Sequence, residues 1–176
     1  MSLKTDVLFL DTTRTPVTLS VLQPLFPTAR IAIVPANISS KEDLLGTLAK
    51  ELEFPSYFGR NWDALVDCLR DYYSYSTQTP GADQAVIAHT GFPENISGTY
   101  WGVLADCLTE QRRNLNSQAE VQAVAVQAVA GQGRKQVTHG NGLLITEPKF
   151  NLVCVFPNKY RAKVEDKLCE NNFILP

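Results

Sequence analysis

The sequence predicts an α/β domain, with a small parallel sheet of three core strands packed with helices, an added N-terminal hairpin and further C-terminal elements. Three observations predict it. Short, nearly continuous apolar runs at 31–34, 85–88 and 152–156 have the pattern of strands covered on both faces. Amphipathic helical stretches alternate with them. The intervals between the runs are long enough for the crossovers that parallel strands require.

Residues 7–10 and 17–22 read as two strands around the turn formers Asp11, Thr12, Thr13 and Arg14, closed by Pro24 and Pro27. Residues 1–29 are therefore expected to form a hairpin extension packed on a main domain at 30–176. Pro35 ends the strand at 31–34. Ser39 with Glu42 three residues on has the spacing of a capping box. Leu44, Leu48 and Leu52, backed by Leu45 and Ala49, then make the stripe of a helix that Phe54 and Pro55 stop. Residues 56–60 (SYFGR) form a loop carrying two aromatics, and Asn61 caps the next helix, over 62–73.

After the strand at 85–88, residues 100–114 form a helix that turns Val103, Leu104, Cys107 and Leu108 inward. In 117–130 the run VQAVAVQAVA repeats a five-residue unit; its Ala and Gln favour helix, its valines allow a strand, and propensity tilts it to helix. Residues 132–139 read as loop or edge structure, and Asn141-Gly142 as a turn into a short strand at 143–146. Asn158 is positioned to cap a last helix with Tyr160, Val164 and Leu168 on one face.

At 176 residues the chain suits one domain with room for added elements. No apolar run approaches the roughly 20 residues that span a bilayer. The N-terminal apolar stretch, broken by Asp11, is too short for a signal-peptide core, which predicts a cytoplasmic protein. Cys68, Cys107, Cys154 and Cys169 lie far apart with no CxxC pair, and read as buried, reduced thiols.

A net charge of −2 argues against nucleic acid as a direct partner, and the basic residues Arg112, Arg113, Arg134 and Lys135 are too sparse for a phosphate-binding patch. No P-loop, GxGxxG, GxSxG or HExxH pattern is present, so no enzyme is predicted. His89 follows a strand at the end where α/β sites gather, yet it has no nucleophile in view and reads as a satisfied histidine. His139 reads as a turn residue. Two histidines and four cysteines without ligand spacing predict neither metal nor cofactor.

The helix at 62–73 carries the functional signal. At about 100° per residue, Trp62, Leu65, Val66, Cys68, Leu69, Tyr72 and Tyr73 cover one side, while Asp63, Asp67 and Asp71 share the other with Ala64 and Arg70. A solvated polar face is the plain reading of such a row. Like charges at i, i+4 nevertheless cost roughly 0.2–0.5 kcal/mol per pair, and Asp71 lies at the end the helix dipole disfavours. A helix optimised for itself would carry Lys or Arg at 67 or 71. The row therefore suits a partner that supplies the missing positive charge.

The stretch KELEFPSYFGRNWDALVDCL at 50–69 resembles the signature segment of the barstar family, inhibitors of the ribonuclease barnase. In that family a helix ends in a Pro-aromatic-aromatic-Gly loop, an Asn opens a second helix, and Asp-Ala-Leu-x-Asp-Cys-Leu follows. The likeness extends more loosely over residues 31–73. It implies a barstar-like fold with a long insertion near 111–146, and an intracellular inhibitor whose loop and second helix fill the active-site cleft of a basic microbial ribonuclease or ribonuclease toxin. Position by position, it implies that Tyr57 packs on the enzyme, Gly59 keeps the loop close to it, Asn61 opens the helix, and Asp63 and Asp67 meet catalytic basic residues. Asp67 takes the phosphate site, and Tyr72 stands where the family usually has an aromatic at the interface edge. Asp71, next in the acidic row, is expected toward the rim of the partner-binding face. A further acid from the next helix falls to Glu110 or Asp106.

This sequence departs from the pattern at Arg60 and Arg70, which dilute the acidic face. Between residues 51 and 71, five acids (Glu51, Glu53, Asp63, Asp67, Asp71) still stand against two bases. The departures leave room for a different target, or for an interaction module of this fold without ribonuclease-inhibiting activity.

Overall fold

The computed structural model describes residues 6–72, 84–131 and 151–175. Its centre is a sheet of four strands: β1 (Val7–Leu10), β2 (Ala29–Val34), β3 (Gln84–His89) and β4 (Leu152–Pro157). They run parallel throughout, in the order β1-β4-β3-β2. Every residue of β3 and β4 is buried, which is why those segments read as continuous apolar runs rather than as an alternation. Ala32, Val34, Ala85, Ile87, Leu152, Cys154 and Phe156 pack under the main helices. Their neighbours Ile31, Val86, Ala88, Val153 and Val155 fill a second, smaller core on the other face.

That second face explains a correction. The expected N-terminal hairpin does not form: residues 7–10 are a strand, but Val7 lies opposite Cys154 and Phe9 opposite Phe156 in parallel pairing. The expected second strand is instead the one-turn helix α1 (Leu19–Leu22) with its flanks. Leu22 and Phe26, four residues apart on one side of a helical turn, are buried with Val17 against the back of β3 and β4. The sheet consequently has four strands rather than three, and both faces are covered.

The main helices are α2 (Lys41–Glu51), α3 (Trp62–Arg70), α4 (Gly98–Gly131) and α5 (Arg161–Glu170). The cap of α2 falls one residue later than the sequence suggests, with Ser40 Oγ accepting from the Asp43 amide at 3.0 Å. Asn158 caps nothing; residues 158–160 form a 3-10 turn that leads into α5. The helix expected at 100–114 and the tilt to helix at 117–130 join as the single 34-residue α4. The expectations for 132–139, 141–142 and 143–146 lie outside the described residues.

Arg112 of α4, read in the sequence as part of a sparse basic cluster, is structural. It makes two 2.6 Å hydrogen bonds to the fully buried Asp6, donates to the Ile174 carbonyl at 2.8 Å, and covers the Phe173 ring. One guanidinium thus joins the entry to β1, a main helix and the C-terminal tail. Cys68, Cys107 and Cys154 are buried thiols, but Cys169 is exposed, correcting the expectation of four buried thiols. Among the described residues no helix is long and apolar enough to cross a membrane.

Candidate functional site

Helix α2 closes in a Schellman arrangement, in which Phe54 N–H reaches back to the Ala49 carbonyl at 2.9 Å and Glu53 N–H to Lys50 at 3.3 Å. Glu53 takes the left-handed conformation this turn needs, at φ 52°, and its carboxylate pairs with Arg30 of β2. The chain then has to travel. Lys41, at the start of α2, lies over the Trp62 ring at the start of α3, at 5.4 Å. At the other ends, Tyr72 Oη donates to the Leu52 carbonyl at 3.1 Å. The two helices therefore run side by side in the same direction, and residues 52–61 climb back along the 11-residue α2, a rise of about 16 Å. A tight helical hairpin is excluded, so a long surface loop is a consequence of the topology.

Within that loop the two aromatics divide their work. Phe58 turns inward and meets Phe54 edge-on at 4.9 Å, against the main core. Tyr57 points outward, 76% exposed. The loop ends on the cap of α3, where Asn61 Oδ1 accepts from the Ala64 amide at 2.8 Å. A Cβ on Gly59 would lie 3.1 Å from Asn61 Nδ2, so the glycine leaves room for the capping side chain.

From this cap α3 lays Leu65, Cys68 and Leu69 into the core and leaves Asp63, Asp67 and Asp71 exposed. Helix α3 runs to Arg70 with Asp71 as its C-cap, whose N–H is bonded to the Asp67 carbonyl at 2.9 Å; Tyr73, the last residue expected in this helix, lies outside the described residues. Arg70 does not lie along the acidic row: its Nη2 is 2.7 Å from Asp106 Oδ2 on α4. Glu110, one turn beyond Asp106, is paired with Arg113 at 2.8 Å. Both candidates for the further acid are thus already engaged with arginines.

Tyr72 is the clear correction at the site. It is completely buried in the main core, and burial pushes its hydroxyl pKa up to about 12. A side chain with no exposed surface has nothing to offer an interface edge. The structure brings Tyr57, Gly59 and Asn61 into one loop beside Asp63 and Asp67, with Asp71 at the far end of the row, and places Tyr72 behind it.

Nothing in the sequence indicates that Trp62, on the apolar side of its helix, and His89, read as a satisfied histidine, share one support for this face. Trp62 packs near Tyr100 of α4, with ring centroids 6.2 Å apart. Tyr100 Oη lies 2.9 Å from His89 Nε2, and the fully buried His89 stacks on Phe156 at 4.3 Å. Desolvation pushes the His89 pKa down to about 3, so the imidazole is neutral, as expected of a satisfied histidine. The face therefore rests on a ring-packed wall rather than on mobile side chains.

Residues 29–128 match the family model described as Barstar (barnase inhibitor). The match begins at β2 and runs through the loop, α3 and β3 into α4, covering more than half of the chain.

Proposed function

The chain belongs to the barstar family, and on that premise we propose that it is an intracellular inhibitor that blocks the active site of a microbial ribonuclease with the loop at 57–60 and the acidic edge of α3. The observation that carries this reading is the pair Asp63 and Asp67. Both are exposed, one turn apart on a capped helix, and the neighbouring Arg70 is drawn away to another helix.

A ribonuclease must present cationic side chains to its substrate's phosphate. A carboxylate held on a rigid helix replaces that anion through charge-assisted hydrogen bonds, and little entropy is lost because the helix is already ordered. Asp67 occupies the phosphate position, Asp63 meets a second basic group, and the exposed Tyr57 ring packs on the rim. Opposite charge also accelerates encounter, an effect for which the barnase–barstar pair is itself the reference case.

The test is a titration of purified protein into a panel of secreted and toxin-type microbial ribonucleases, following cleavage of a fluorescent RNA. Stoichiometric loss of activity in at least one is expected. A panel left fully active, with no complex by calorimetry, would reduce the chain to a barstar-fold interaction module.

A further inference from the structure

Arg60 lies between Gly59 and the capping Asn61, in the middle of the face just described. Its backbone is left-handed, with φ 50°, a conformation that Gly or Asn takes readily and that other side chains adopt only against steric resistance. The position is fixed from both sides: Asn61 caps α3, and its Nδ2 also reaches the Gly59 carbonyl at 3.5 Å. Electrostatics oppose the residue as well. It stands just before the N-terminus of α3, where the helix dipole disfavours a cation.

Nothing within the described fold compensates. Arg30 is paired with Glu53, Arg70 with Asp106, Arg112 with Asp6, Arg113 with Glu110 and Arg161 with Glu165; Arg14, in the turn after β1, and Arg60 are exposed and make no ion pair among the described residues, and of these two only Arg60 has a left-handed backbone. An unpaired arginine, in a conformation glycine would take without cost, on an otherwise acidic face, has its use outside the chain. Resting on the inhibitor reading, we infer that Arg60 is a specificity determinant: it selects a ribonuclease that carries a carboxylate at the rim of its cationic cleft, and excludes one whose rim is basic there.

The sign of a single measurement separates this from a solvated arginine. If Arg60 touches no carboxylate, removing it makes the face more acidic, and a basic nuclease should bind equally well or more tightly. If it does, binding should weaken. The informative variant is Arg60→Gly, which removes the cation and suits the left-handed backbone, so the fold is kept. Arg60→Lys, which keeps the charge and loses the planar fork, is the second arm.

Full-length protein and both variants are titrated against whichever ribonuclease of the panel the unaltered chain inhibits most tightly. About a tenfold or greater rise in Kd is expected for Arg60→Gly and a smaller one for Arg60→Lys. An unchanged or lower Kd for Arg60→Gly overturns the inference and leaves the inhibitor reading standing. Failure of the unaltered chain to inhibit any member of the panel overturns both.

Discussion

Arg70 Nη2 and Asp106 Oδ2 lie 2.7 Å apart across the contact between α3 and α4, and this pair keeps the Arg70 charge off the acidic row of the candidate face. With Arg70 held there, Asp67 has no cationic neighbour on its own helix. Released, Arg70 would sit at i+3 from Asp67 and compete for it. Asp106→Asn should therefore slow association with the target ribonuclease several-fold at low salt, while global stability changes by less than about 1 kcal/mol, because both side chains are substantially exposed. Adding Arg70→Gln should restore the rate. Stopped-flow association and chemical denaturation measure the two quantities, and an unchanged rate in Asp106→Asn would show that Arg70 plays no part in screening the row.

The row itself should be graded. Asp67 is in regular helix beside the loop, whereas Asp71 is the C-cap, a turn farther from Tyr57 and Asn61. Asp67→Ala should raise the inhibition constant by at least about tenfold and Asp71→Ala by only a few-fold, as expected when central contacts dominate an interface; the barnase–barstar pair is one of the measured cases behind that generalisation. Equal losses would mean that the helix docks along its length rather than by its N-terminal half.

Much of this architecture was legible in the chain. Continuous apolar runs found β2, β3 and β4 because strands buried on both faces carry no polar alternation. Asn61 was found because an N-cap is a local interaction between a side chain and an amide three residues on. What escaped was non-local. Parallel pairing of residues 7–10 with β4 joins segments nearly 150 residues apart, and no local pattern encodes which strand a strand will choose. The parallel arrangement of α2 and α3 is likewise set by contacts at their two ends, Lys41 with Trp62 and Leu52 with Tyr72. Tyr72 was misassigned although a signal was present: on the helical wheel it falls with Leu65, Cys68 and Leu69, all of them buried. Helical periodicity alone puts Tyr72 on the core side, against the edge position that the family resemblance implies.

That correction has a direct test. Tyr72 lies in the core with its hydroxyl on the Leu52 carbonyl at 3.1 Å, at the point where α2 ends and the loop begins. Tyr72→Phe keeps the ring and removes that hydrogen bond. It should lower stability by about 1 kcal/mol and leave the inhibition constant within about twofold of the unaltered protein. A large loss of affinity at unchanged stability would return Tyr72 to the interface.

His89 supplies the pH dependence. Its imidazole is fully buried between Tyr100 Oη at 2.9 Å and the Val155 carbonyl at 3.4 Å, and stacked on Phe156. Desolvation holds its pKa at about 3, against 6.5 for the ordinary side chain, while the bond to Val155 works weakly the other way. The unfolded chain therefore takes up a proton below about pH 6.5 that the folded protein refuses until near pH 3. The contribution to stability is complete above pH 6.5 and falls as pH drops through this window, by at most about 1.4 kcal/mol per pH unit. His89→Gln, which cannot titrate but retains a polar group for Tyr100, should be less stable at pH 7 by about 1–3 kcal/mol and lose stability more slowly on acidification. Denaturation midpoints at pH 7, 5.5 and 4.5 compare the two slopes. Parallel slopes would mean that His89 takes up its proton in the folded state, which requires water to reach the wall behind Trp62 and the candidate face.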